Sequence, residues 1–141
     1  MNDGIKAYND SQTPENRAIC EELASLIAAG LIEASSVVEG LMGAEGKVWH
    51  GGPVWFLAGN PVAGYWVRKM GVQLLFWSGQ DFDEAGLSAE GKFRAAAVVY
   101  AEAGQIIAGD VQRWLAKAAV IQWDYKNIVK RNGKLEKLGV W

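Results

Sequence analysis

Apolar residues recur every three or four positions in the first part of the chain and every second position through its middle, so helices precede strands. Ile19, Leu23, Leu26, Ile27 and Leu31 lay one stripe along a helix from about residue 14 to residue 32, with Cys20 beside it. Thr13 is placed to cap that helix and Pro14 to open it, where the missing proline N–H costs nothing. Ser36 with Glu39 three residues on fits a capping box, and Val37, Val38, Leu41 and Met42 repeat at helical spacing until Gly43 and Gly46. That pattern predicts a short second helix.

From Lys47 the period becomes that of strands. Val54 to Ala58, Val62 to Arg68 and Val72 to Trp77 are β-branched and aromatic runs, parted by Gly59-Asn60 and Lys69-Met70-Gly71. A fifth strand is placed near Ala96 to Tyr100, where the alanines leave helix as a competitor. Asp110 then caps a long helix bearing Val111, Trp114, Leu115, Ala118, Gln122, Tyr125 and Val129, to about Arg131 before Asn132-Gly133. The expected fold is therefore α+β: an antiparallel meander of about five strands flanked by N-terminal helices and a long C-terminal helix. With Gly59-Asn60 as a two-residue turn, Leu57 opposes Val62 and Trp55 opposes Gly64. Trp55, Gly64, Trp66, Leu75 and Trp77 then share one face, and Val54, Phe56, Ala63, Tyr65, Val67, Leu74 and Phe76 the other. The second set is uniformly apolar and is the one expected to lie beneath helices.

The 141 residues are half apolar and about one-fifth charged, the balance of an ordinary globular chain, and read as a single α+β domain over 1–141. Val48 to Val67 contains no Asp, Glu, Lys or Arg over 20 residues, but its five Gly and Asn positions and two prolines would break a membrane helix. It reads as a buried hairpin, and no membrane association is expected. One cysteine, Cys20, excludes an internal disulfide and, with no basic leader ahead of it, suggests a cytoplasmic protein. Residues 1–45 carry eight acids against two bases and residues 46–141 eight against twelve. A modestly acidic chain lacks the electrostatic footprint of a nucleic-acid binder, so the basic end reads as a solvated or helix-pairing surface.

Catalytic and metal-binding patterns are missing. One histidine and one cysteine cannot assemble a two-histidine site or a zinc ribbon, and neither a nucleophile elbow nor a phosphate loop is present. Asp81-Phe82-Asp83-Glu84-Ala85-Gly86 opens like a calcium loop, but Ala85 takes its fifth position and Lys92 its twelfth. Cys20 reads as a small buried hydrophobe and His50, beside Gly51-Gly52-Pro53, as a turn residue more than a general base. What stands out is tryptophan: Trp49, Trp55, Trp66 and Trp77 fall within 29 residues. Two readings of their face stay open. It is a second core under the C-terminal helix, or it is a concave aromatic pocket floored by Gly64. On the second reading a small molecule is bound by Trp49, His50, Trp55, Gly64, Trp66, Trp77, Lys92 and Trp123, with no cofactor. The apolar strip of Ala116, Ala119, Val120 and Trp123 would meet that face or a second subunit in a homodimer.

The blocks Trp49-His50-Gly51-Gly52-Pro53-Val54-Trp55-Phe56, Gly59-Asn60-Pro61-Val62 with Gly64-Tyr65, Leu75-Phe76-Trp77-Ser78-Gly79, Gly91-Lys92, and Trp114-Leu115 with Gln122-Trp123-Asp124-Tyr125-Lys126-Asn127-Ile128 resemble the bacterial YdhG-like domains of unknown function. The resemblance covers about residues 45 to 131 and implies an α+β domain with an antiparallel sheet. Some members of that family are described as frataxin-like intracellular iron chaperones, which implies weak iron binding by surface carboxylates. Glu15, Glu21 and Glu22 would be the candidates here, although no motif of the family carries iron ligands onto them.

Overall fold

The computed structural model describes residues 2–37 and 44–138, and for residues 35–37 the backbone alone. It is an α+β fold with one six-stranded antiparallel sheet in the order β1-β2-β3-β4-β6-β5. The elements are α1 (Asp3–Asp10), α2 (Pro14–Val37), β1 (Glu45–Trp49), β2 (Gly52–Leu57), β3 (Asn60–Arg68), β4 (Gly71–Phe76), β5 (Ser88–Ala89), β6 (Ala96–Tyr100) and α3 (Ala108–Val120). Among the described residues the α-helices pack on one face of the sheet or on each other, α2 lying on β3 and β4 and against α3.

Thr13 caps α2 as its sequence position suggests, its Oγ1 accepting from the Asn16 N–H at 3.3 Å. The α2 stripe is fully buried at Ile19, Leu23, Ile27 and Leu31, with the Cys20 thiol enclosed beside it. Burial, reinforced by the Glu21 carboxylate, raises that thiol to about 12, so it stays protonated and inert at neutral pH. α2 runs unbroken through Val37, so Ser36 lies inside it and starts no second helix. The remainder of that expected helix, Val38 to Gly43, lies outside the described residues. The sequence reading missed α1, which Asn2 caps by accepting from the Gly4 and Ile5 N–H groups. α1 is fastened to the sheet by two tyrosines: Tyr8 Oη accepts from the Val67 N–H at 2.9 Å, and Tyr65 Oη donates to Asn9 Oδ1 at 2.5 Å.

The facing derived for β3 and β4 holds: Tyr65, Leu74 and Phe76 are fully buried beneath the helices, where Phe76 meets Phe82 and Trp114 at 5.6 and 6.0 Å between rings. The facing derived for β2 does not. The turn lies one residue earlier, at Ala58-Gly59, so Leu57 pairs with Asn60, and an extra residue at Val62 then shifts the register so that Trp55 pairs with Ala63 and Val54 with Gly64. Moving the turn by one residue leaves the parity of the strand unchanged, whereas the bulge inverts it. Trp55 therefore belongs to the helix-side core, against Tyr65 at 5.9 Å, and Val54 and Phe56 belong to the outer face.

Ala58 and Gly59 both have positive φ, 51° and 79°, the backbone of a primed hairpin turn. Alanine tolerates that region poorly, and asparagine is its natural occupant before glycine. Ala58→Asn is expected to raise stability by about 0.5–1 kcal/mol, or roughly 2 °C in melting temperature. Thermal and urea unfolding will show it, and an unchanged midpoint would contradict the turn geometry.

The C-terminal helix is shorter than its apolar spacing suggests. Val111, Trp114, Leu115 and Ala118 are buried as read, but the helix ends at Val120 with Ile121 extended. Asp110 lies in its first turn and Ile107 occupies the cap position. The loop before β5 is held to α3 through Glu84, whose carboxylate accepts from Arg113 at 2.8 and 2.9 Å, Lys117 at 2.5 Å and Trp114 Nε1 at 2.9 Å. Those bonds keep Glu84 far below the usual carboxylate range, so the segment that opens like a calcium loop is closed by cations of the chain itself.

Candidate functional site

Beyond Val120 the chain crosses to the outer face of the sheet, and one buried polar group decides where it lies. Asn60 Nδ2 donates to Gln122 Oε1 at 2.8 Å and to the Trp123 carbonyl at 2.9 Å, while Asn60 Oδ1 accepts from the Lys126 N–H at 3.0 Å. Every polar atom of the Asn60 amide is thus spent on the C-terminal segment, and Gln122 Nε2 is taken by the Ala119 carbonyl at 3.1 Å. Residues 122–124 turn back against 136–138, with Trp123 bridged to Lys137 and the Leu138 N–H on the Gln122 carbonyl at 2.8 Å. Burial would raise the Asp124 carboxyl, but hydrogen bonds from Asn127 and Arg131 outweigh it and hold the group below its usual range. Tyr125 is fixed at its hydroxyl, which donates to the Trp77 carbonyl at 2.6 Å and accepts from the Arg94 N–H at 3.0 Å.

On the outer face the aromatic rings form a row. Trp77 lies 6.3 Å from Trp49 and 5.6 Å from Trp66, and Trp49 lies 5.5 Å from Phe56 and 4.1 Å from the His50 ring. The hollow expected over Gly64 is occupied. Trp66 lies across β2 with its Nε1 donating to the His50 carbonyl at 3.2 Å, and a Cβ on Gly64 would sit 3.3 Å from Trp66 Cη2 and 2.7 Å from the Pro53 carbonyl oxygen. Gly52 serves the same ring, since a Cβ there would run into the indole.

An open groove does exist one strand away, where the end of this row meets the C-terminal segment. It encloses about 410 Å³ and is lined by Lys47, Trp49, His50, Phe56, Pro61, Tyr125, Lys126, Ile128 and Val129. His50 reaches it from the β1–β2 turn, in left-handed backbone with φ 51°. Of the eight residues assigned to a ligand from sequence, the structure brings Trp49 and His50 into this groove and Trp66 and Trp77 into the row behind it. Gly64 lies under Trp66. Trp55 is on the opposite face, lining a groove of about 580 Å³ with Ile5, Ala28 and Ile32. Lys92 is exposed, 5.1 Å above Phe93. Trp123 points away, its Nε1 donating to Asp81 at 2.6 Å beneath the Arg94 guanidinium at 5.4 Å.

Sequence reasoning missed Lys47, Phe56, Tyr125 and Lys126. Lys47 carried a signal, being two residues from Trp49 on one strand and hence on the same side. Phe56 was lost to the bulge, and Tyr125 with Lys126 to the helix that ends early. Among the described residues no group of three or more His, Cys, Asp or Glu side chains is placed to hold a metal ion, and no helix is long and apolar enough to cross a membrane. A scan of family models, a search of curated proteins and a search of solved structures each find no match to this chain.

Proposed function

We propose that this chain is a YdhG-like domain that acts in the cytoplasm as a non-catalytic small-ligand-binding module, with the outer-face groove as its site. The observation that carries the reading is the convergence of Trp49, Phe56 and Tyr125 with a few polar groups in one groove of about 410 Å³, within the usual span of roughly 300–1,000 Å³ for small-molecule sites. The blocks that carry the family resemblance supply most of that lining, from residues 49–56, 59–65 and 122–128. The iron-chaperone alternative has no such gathering behind it: Glu15, Glu21 and Glu22 are exposed along α2, as surface ligands would be, but they belong to no group of three or more His, Cys, Asp or Glu side chains placed to hold a metal ion among the described residues.

The ring-on-ring contacts of Trp49, Trp66 and Trp77 favour a second reading for the row itself, a packed aromatic surface that stiffens the sheet behind the groove. One experiment separates the readings. A metabolite panel, with ferrous iron as one arm, is titrated into wild type and Trp49→Ala while tryptophan fluorescence and melting temperature are followed. A ligand at about 100 times its Kd should add about 2.7 kcal/mol of stability to wild type, and the response should be lost in Trp49→Ala. A panel without response, or a response that Trp49→Ala leaves intact, overturns the site. Iron binding that is indifferent to Trp49 supports the chaperone alternative instead.

A further inference from the structure

The cations around this groove have no counter-charge in it. Lys47 comes from the edge strand β1 and Lys126 from the C-terminal segment, 79 positions later in the chain, yet both line one groove whose lining contains no Asp or Glu. Among the described residues neither lysine forms an ion pair. The Lys47 ammonium lies 4.9 Å over the Phe56 ring, and the Lys126 ammonium donates to the Ala58 carbonyl at 3.1 Å on the hairpin turn beside the groove, so neither charge is neutralised by the group that holds it. Glu45, the nearest carboxylate along β1, is exposed and does not line the groove. Two like charges lining one groove repel each other, and a bound anion would turn that repulsion into attraction.

Apart from His50, the rest of the lining is apolar, and its rings are held in place. Tyr125 is pinned at its hydroxyl by two hydrogen bonds and packs edge-on against Phe93 at 6.3 Å, while Trp49 is wedged between Phe56 and Trp77. Walls of fixed rings suit a flat body, because little side-chain freedom remains to be lost on binding.

Resting on the binding-module reading, we propose that the groove takes a planar aromatic molecule bearing an anionic group, a carboxylate or a phosphate, with its ring against Trp49 and Phe56 and its charge met by Lys47 and Lys126. The test uses one aromatic body with four head groups: 2-naphthoate, 2-naphthyl phosphate, 2-naphthamide and 2-naphthylmethylammonium. Each is titrated calorimetrically into wild type, Trp49→Ala and the double variant Lys47→Gln/Lys126→Gln, at low and high salt. At least one anion is expected to bind about tenfold tighter than the amide at low salt, with the gap narrowing at high salt. The double variant, whose two sites are exposed and tolerant of glutamine, should bring the affinity for the anion down to that for the amide. Whichever anion binds tighter identifies the head group. Equal affinity for the anion and the amide, or an anion preference that survives the double variant, overturns the charge assignment while the binding module stands. Failure of all four probes at millimolar concentration, together with a silent metabolite panel, overturns both.

Discussion

Asn60→Ala is expected to unfasten the C-terminal segment and to cost about 3 kcal/mol, because three polar partners lose their bonds at once and each buried orphan costs roughly 1–3 kcal/mol. The partners are Gln122 Oε1, the Trp123 carbonyl and the Lys126 N–H, around an amide that is 4% exposed. Water can reach the two backbone groups, which are only partly enclosed, and this places the sum near the low end. A loss of that size is a large share of the roughly 5–15 kcal/mol that a domain has, and lowers the melting temperature by about 6–12 °C. The damage should be local as well as global, because Asn60 fixes residues 122–126 and contributes nothing to the helix-side core. Amide exchange at Trp123 and Lys126 should quicken in the folded variant while the β3 and β4 amides keep their protection. Ligand binding should fall with it, since Tyr125 and Lys126 form one wall of the groove. Stability within about 1 kcal/mol of wild type would mean that the Tyr125–Trp77 and Trp123–Asp81 bonds hold the segment unaided.

The Asn60 amide also accounts for one of the places where the fold departs from its apolar pattern, the end of α3. Alternation along β3 and β4 was sufficient to place Tyr65, Leu74 and Phe76 beneath the helices, because those strands pair without interruption from Ala63 to Arg68. The facing of β2 depended on one extra residue, and a bulge leaves no mark in apolar periodicity. The available sign was Pro61, buried within a central strand where proline is tolerated chiefly at bulges, edges and strand starts. The end of α3 was hidden for a different reason. Gln122, Tyr125 and Val129 continue the helical spacing, but Gln122 and Asp124 are polar residues that the fold buries through side-chain hydrogen bonds to Asn60 and Asn127 instead of on a continued α3. Tertiary partners thus override local propensity there, and the override moves Tyr125 and Lys126 into the groove while leaving Val129 86% exposed. α1 was legible in Asn2 and the Ile5–Tyr8 spacing, yet eight residues make a weak periodic signal.

Gly64→Val is expected to cost about 2–3 kcal/mol, an overpacking penalty at the upper end of the usual range. The obstacle is backbone: a Cβ at Gly64 would stand 2.7 Å from the Pro53 carbonyl oxygen, so β2 itself must move before any methyl is placed. The valine methyls then meet Val54 Cγ2 and Trp66 Cη2, which lie 3.2 and 3.3 Å from that Cβ. Two effects oppose the clash, the strand preference of valine and the smaller entropy of its unfolded chain, and each offers at most about 1 kcal/mol. They do not offset a displaced strand. Gly64→Ala keeps the carbonyl clash without the methyls and should lie between the variant and wild type. Because Trp66 must tilt, its bond to the His50 carbonyl should break, giving red-shifted indole emission alongside the lowered unfolding midpoint. Near-wild-type stability for Gly64→Val would require empty space between Gly64 and Trp66, and would move the ligand site back onto the middle of the tryptophan row.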